Sequence, residues 1–349
     1  MPSTTSLNPS PGPTGATGPL RRSAAWDAAV LRSAALASPR CQDVEVDRDQ
    51  LSAVADWMCF ELFAPLDGNA EGPDPERLEL ATLEEQIDFT MVTVAINFAY
   101  TDFETKIPWS IEHEGRELVD ADAMFRRFLQ AHAAGVPVLS GEWLAELTEE
   151  RLAAVLHGPR PIPLLTERVE VLRGLGRTLV ESYGGSFSAF VRDCPPRVYA
   201  DGHGLLERLV REFPHFDDSG TVHGLTVRFD KLAQLAVWTL QRLGLVQLED
   251  LDSLAIFADY IVPAALRAMR VLRYSPALAE AVDNGVVVAA GSDWEHEIRV
   301  QSIYACGLLT DELNVRRTDA LVNPQLDYRL WSGFHDLIRP HHLTVTTRY

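Results

Sequence analysis

The sequence predicts a mainly helical (α+β) fold, a single compact helical domain with one small β-hairpin or sheet. Three observations predict it. Apolar residues recur at helical spacing through most of the chain, and helix start and stop signals punctuate those stretches. Strand-like alternation around a turn occurs clearly at one place only. With 349 residues, 46% of them hydrophobic, the chain can fill a sizeable core. No internal repeat of roughly 20–50 residues divides it, and no linker follows residue 22.

Residues Pro2 to Leu20 are Pro, Ser, Thr and Gly with almost no large apolar side chains, so they cannot recover their ordering entropy by burial. The expected organisation is a disordered tail over 1–22 and one catalytic domain over 23–349. A helix-like stretch runs from Ala24 to Ala37, and a second from Asp49 to Phe63, where Leu51, Val54, Met58 and Leu62 repeat at helical spacing. Pro65 to Pro75 reads as a loop. Met91 to Ile96 is an apolar run that fits a strand or a buried helix equally. Trp109 to Glu112 and Arg116 to Val119 flank Glu114-Gly115, which predicts the hairpin.

From there helices dominate. Asp122 opens one that stops at Gly135, Thr148 starts another ending near Gly158, and Thr166 starts a longer one closed by Gly184-Gly185. Leu205 to Phe213 and Asp230 to Leu243 follow. Ser275-Pro276 offers an N-cap with proline at the first helical position, and Ser292-Asp293-Trp294-Glu295 matches a capping box.

The formal charge of −19 gives a surface that repels phosphate backbones, which disfavours a polynucleotide partner while permitting a small anion in a local basic pocket. The cysteines, Cys41, Cys59, Cys194 and Cys306, form no C-x-x-C pair and read as reduced thiols of a cytoplasmic protein. No apolar run approaches the ~18 residues that span a bilayer, so no membrane partner is expected. Common phosphate-loop, dinucleotide, serine-hydrolase and zinc-protease motifs are absent. His341-His342 lacks nearby spaced carboxylates and reads as a structural or surface pair, so no metal is expected. Of 31 basic residues only Lys106 and Lys231 are lysine, and a lone Lys beside Phe229-Asp230 suggests a need for a compact ammonium there.

One carboxylate stands out chemically. Asp259 lies among Phe257, Ala258, Tyr260, Ile261 and Val262, a setting that is costly unless the group is hydrogen-bonded or used. Two readings are open: Asp259 caps a helix with Pro263 in its first turn, or it does chemistry.

Phe257-Ala258-Asp259-Tyr260, Pro263 and Tyr274-Ser275 resemble the signature of the queuosine salvage proteins, N-glycosidases that release the modified base queuine from queuosine 5'-phosphate. Further matches keep the family's order: Asn97-Phe98, Pro163-Leu164, Glu167-Arg168, Tyr183 to Phe187, Phe229 with Lys231 and Ala233-Gln234, Glu297-Ile298-Arg299, Leu326-Asp327-Tyr328, then Pro340, His342 and Tyr349. The resemblance spans about Trp57 to the C-terminus. It implies a hydrolase of N-glycosyl bonds acting on queuosine 5'-monophosphate, a small-molecule nucleotide, without cofactor. Rival readings are a glycosylase acting on a base within DNA or RNA, and a non-catalytic binder of queuine or its nucleoside.

Cutting an N-glycosidic bond passes through an oxocarbenium-like sugar, so the minimum equipment is a carboxylate beneath C1' and an aromatic pocket for the base. The resemblance implies Asp259 as the catalytic carboxylate, as nucleophile, water activator or cation stabiliser. It implies Phe257, Tyr260, Asn97, Phe98 and Tyr274 around the substrate, and Glu297 or Asp327 for queuine's ammonium and diol. Lys231, with Arg273 or Arg299, would meet the 5'-phosphate. Many family members carry a basic residue where this chain has Ile261. The leaving base is a 7-deazaguanine without N7, so assistance must reach it at other edges.

Overall fold

Helix-forming stretches become fourteen α-helices among the residues that the computed structural model describes, 22–66, 80–335 and 340–349. Residues 1–21, on which the tail expectation falls, and most of the Pro65 to Pro75 loop lie outside the described residues. Arg22, assigned to the tail by sequence, sits with its guanidinium 5.1 Å from the Trp26 ring centroid.

The first expected helix is split. A 3₁₀ turn covers Ala24–Trp26 and α1 covers Ala29–Ala37, because Ala28 between them is extended (ψ 154°). A short strand β1 (Val44–Val46) precedes α2 (Arg48–Met58), whose first turn is capped by the Asp47 carboxylate accepting the Gln50 N–H at 2.9 Å. The run left open between strand and helix is α3 (Leu83–Ala95), started by a reciprocal Thr82/Glu85 capping box. The expected hairpin is present as β2 (Ser110–His113) and β3 (Arg116–Val119), with Glu114 and Gly115 at φ 50° and 75°, the left-handed pair a two-residue turn requires.

Next come α4 (Asp120–Ala133), α5 (Gly141–Ala145), α6 (Glu149–Val155), α7 (Leu165–Ser182), α8 (Phe187–Arg192) and α9 (Leu205–Glu212). A second hairpin pairs β4 (Ser219–Val222) with β5 (Leu225–Arg228), and α10 (Lys231–Arg242) and α11 (Ile261–Ala268) follow. β6 (Leu272–Tyr274) pairs antiparallel with β1, and α12 (Pro276–Asp283), α13 (Asp293–Arg316) and α14 (Asn323–Phe334) complete the domain. The sequence predicts one small sheet, and the described residues form three two-stranded sheets. Strands of three or four residues are too short to show a period, and β1 finds its partner only through the tertiary fold.

The Ser292 cap is half of the expected box. Ser292 Oγ accepts the Glu295 N–H at 3.3 Å, but the Glu295 carboxylate takes the Gly291 N–H instead. The helix it starts, α13, is buried on every face over Glu295 to Ile303, charged side chains included, and runs through one of two buried clusters, packed by α1, α2, α11 and α14. The other cluster gathers Phe98, Phe128, Phe187, Phe213 and Trp238. Phe257 belongs to this second cluster and its neighbour Ala258 to the first, so the irregular strap 254–258 leading to Asp259 runs along the seam.

Candidate active site

Asp259 caps a helix and also faces a cavity. Its Oδ1 accepts the N–H groups of Ile261 at 2.8 Å and Val262 at 3.1 Å, so the side chain caps α11. Pro263 then falls in the first turn, where its missing N–H leaves no bond unmade. Capping uses one oxygen. The residue also lines a cavity of about 780 Å³, the size of a small-ligand pocket.

The strap is held from both sides. The Phe257 N–H donates to Asp327 Oδ2 at 2.7 Å, and the Ala258 carbonyl accepts from Arg299 Nε at 3.3 Å. The Tyr260 hydroxyl donates to the Thr344 carbonyl at 2.7 Å, and its ring lies 4.8 Å from the Tyr349 ring and 5.1 Å from each of His341 and His342. The C-terminal residues therefore close one wall. His342 is buried there, and burial depresses its imidazole to about 3, with the His341 and Arg299 charges acting the same way. Both imidazoles are buried, so this is not a surface pair, and His341 lines the cavity.

Lys231 opens α10 and lines the same cavity. Asp230, in the left-handed region at φ 46°, turns the chain into that helix, and its carboxylate is gripped by Arg228. Burial lowers the Lys231 ammonium, while the negative fields of Asp259 and Asp327 oppose that shift. Among the described residues it has no hydrogen-bond or ion-pair partner.

Asn97 and Phe98 reach the cavity from the turn after α3. Arg168, fully buried on α7, holds that turn: it donates to the carbonyls of Pro163, Ile96, Phe98 and Ala99, and its guanidinium lies 4.5 Å from the Phe98 ring centroid. No carboxylate pairs with it among the described residues, and burial lowers it to about 10. An arginine spent on four carbonyls is a positioning group, and nothing in its local sequence says so.

The cavity thus gathers Asp259, Phe257, Tyr260, Asn97, Phe98, Lys231 and Asp327 from four separate segments. Three other candidates do not reach its lining. Tyr274 lies on β6 opposite Val44, with the Arg267 guanidinium 4.9 Å from its ring. Glu297 is fully buried on α13, where Oε2 accepts the N–H groups of Gln42, Asp43 and Val44 and Oε1 meets His223 Nε2 at 2.7 Å. Arg299 pairs with Asp218 and Glu295 and lies between the rings of Phe229 and Tyr349. Two residues apart on a helix, Glu297 and Arg299 point about 200° from each other, so one face could not present both. Arg299 acts on the site through Ala258 and Asp218, the latter also accepting the Lys231 N–H. Of the phosphate candidates, Arg273 is on the exposed β6 edge against Asp47.

Sequence reasoning missed several lining residues: Phe125, Trp238 and Trp331, Tyr349, and the charged set Asp120, Asp122, Arg126 and Arg242. Trp238 reads as core at helical spacing, and Asp120 and Asp122 read as ordinary first-turn acids of α4. Among the described residues no cluster of His, Cys, Asp and Glu has metal-holding geometry.

A family model described as "Queuosine salvage protein" matches residues 78–349. The chain is 31% identical over 328 residues to a Sphaerobacter thermophilus protein named queuosine 5'-phosphate N-glycosylase/hydrolase, covering 92% of this chain and 97% of that one. Proteins of the same name from Schizosaccharomyces pombe and Bos taurus are 27% and 28% identical. The first match covers 86% of this chain and 90% of the relative, the second 73% and 77%.

Proposed function

Because the chain belongs to the queuosine salvage protein family, we propose that it is a hydrolase of N-glycosyl bonds that converts queuosine 5'-monophosphate to queuine and ribose 5-phosphate, supplying queuine for tRNA modification. The observation that carries this reading is Asp259: a carboxylate anchored through one oxygen on a helix N-terminus, at the wall of an aromatic-lined cavity that also holds a lysine.

Asp259 supplies the negative charge facing C1' as the sugar becomes cationic. Fixing Oδ1 on two N–H groups means the side chain need not reorganise in the transition state, so the stabilisation is prepaid in folding. Phe98, Phe257, Tyr260 and Asn97 form the base side of the cavity, and Lys231 offers the uncommitted ammonium for the 5'-phosphate. Water, charge and orientation suffice for hydrolysis, so the reading asks for no cofactor. The net charge of −19 speaks for a free nucleotide over a polynucleotide substrate. No described helix is long and apolar enough to cross a membrane, and the unpaired thiols suit a cytoplasmic location.

The test is product analysis by mass spectrometry with queuosine, its 5'-monophosphate and intact tRNA offered in parallel. Queuine released fastest from the 5'-monophosphate is the expected result. Release from tRNA would favour a polynucleotide glycosylase, and binding without release a non-catalytic carrier.

A further inference from the structure

Resting on that reading of the site, we propose that Asp327 is the proton donor to the leaving base, working with Asp259 across one cavity. Both carboxyls line it, in unlike surroundings. Asp259 is half-buried with two backbone N–H donors on Oδ1, whereas Asp327 is only 5% exposed and receives one, the Phe257 N–H on Oδ2. No described residue hydrogen-bonds Asp327 Oδ1. The strap therefore ties the two acids together, since the residue that donates to Asp327 stands two positions before Asp259.

The groups facing Asp327 are Asp259 and Lys231 around the cavity and the buried Cys306 thiol of α13. Burial raises the Asp327 carboxyl well above its usual range, and the Asp259 charge adds to the rise. The Phe257 N–H and Lys231 oppose it. Of the two acids on the cavity wall, Asp327 is the one that burial favours in its protonated form, which is the form a proton donor needs.

The leaving base needs that proton. Its ring has carbon where purines carry N7, so it must be neutralised at another ring nitrogen or at the exocyclic oxygen. As the C1'–N9 bond breaks, its electron pair goes to the base and the Asp327 proton is transferred to it. A water oxygen forms the new bond to C1', and that water's proton passes to Asp259 and on to solvent. Solvent returns a proton to Asp327, so each turnover consumes one water and no net acid.

Asp327→Asn retains the acceptor for the Phe257 N–H and the side-chain volume but has no acidic proton to give. The variant is expected to keep the wild-type thermal midpoint and bind queuine, while turnover of queuosine 5'-monophosphate falls ~10²–10⁴-fold. Wild-type kcat should decline on the alkaline side as Asp327 ionises, and the variant's residual activity should lack that decline. Wild-type turnover in Asp327→Asn, or an alkaline decline that persists in it, overturns the assignment. If the variant does not fold, the wild-type profile still decides: a kcat that shows no alkaline decline at any pH where the protein stays folded overturns the assignment. Failure of the wild type to release any queuine would instead strike the function itself.

Discussion

Replacing Asp259 by Asn separates its two jobs at a single atom. Oδ1 makes both capping bonds, at 2.8 and 3.1 Å, and an Asn carbonyl oxygen in that place accepts the same N–H groups. Asn caps about as well as Asp, so the stability change reduces to the lost charge–dipole attraction, about 0.3–1 kcal/mol. That corresponds to at most a few degrees in a domain of this size. The other oxygen becomes an amide NH₂, which removes the negative charge and offers hydrogens to a developing cation. Loss of one preorganised electrostatic group costs ~2.7–4 kcal/mol of transition-state stabilisation, or ~10²–10³-fold in turnover, and more if the carboxylate attacks C1'. Asp259→Ala loses the same turnover and the cap as well, a further 0.5–2 kcal/mol or so. The assay is queuine release by chromatography together with thermal unfolding, on the same preparations of wild type and both variants. An Asn variant that is stable and active refutes the catalytic role. An inactive Asn variant as unstable as the Ala variant refutes the division of labour between the oxygens.

Lys231→Ala should weaken binding of the 5'-monophosphate by about 1.5–3 kcal/mol and that of the nucleoside far less, and equal losses in titration calorimetry would place the ammonium elsewhere. Arg168→Met leaves the carbonyls of Ile96, Phe98 and Ala99 without their donor, so urea unfolding should show a loss above ~3 kcal/mol, with a raised KM in any folded fraction. A loss under ~1 kcal/mol would show that the turn holds itself. His342 binds its proton near 6.5 when unfolded and only near 3 when folded. Between those values the unfolded chain carries more protons, so this contribution is complete above pH 6.5 and is lost as pH falls. At pH 5 the loss is about 2 kcal/mol, and His342→Gln should flatten the fall in unfolding free energy from pH 7 to 5 by that amount. Parallel curves for variant and wild type would contradict it.

Local chemistry made much of the chain legible. Thr148, Ser275 and Ser292 each cap the helix that follows them, and Glu114-Gly115 turns its hairpin. Asp259 stood out because a carboxylate among aromatic and apolar neighbours must be satisfied or used, whatever the fold around it. Such signals act within a few residues, so sequence alone determines them. What brings Asp327 of α14 to the Phe257 N–H, the C-terminal Tyr349 against Tyr260, and Arg168 of α7 beneath Phe98 is packing between distant segments. Glu297 shows the limit most plainly. It lies in a helix buried on every side, where no polar face records a direction, and only the approach of the Gln42–Val44 turn assigns it to backbone N–H groups away from the cavity. Helical spacing tells which residues share a face, but which face meets the substrate is decided by the neighbours that cover the others.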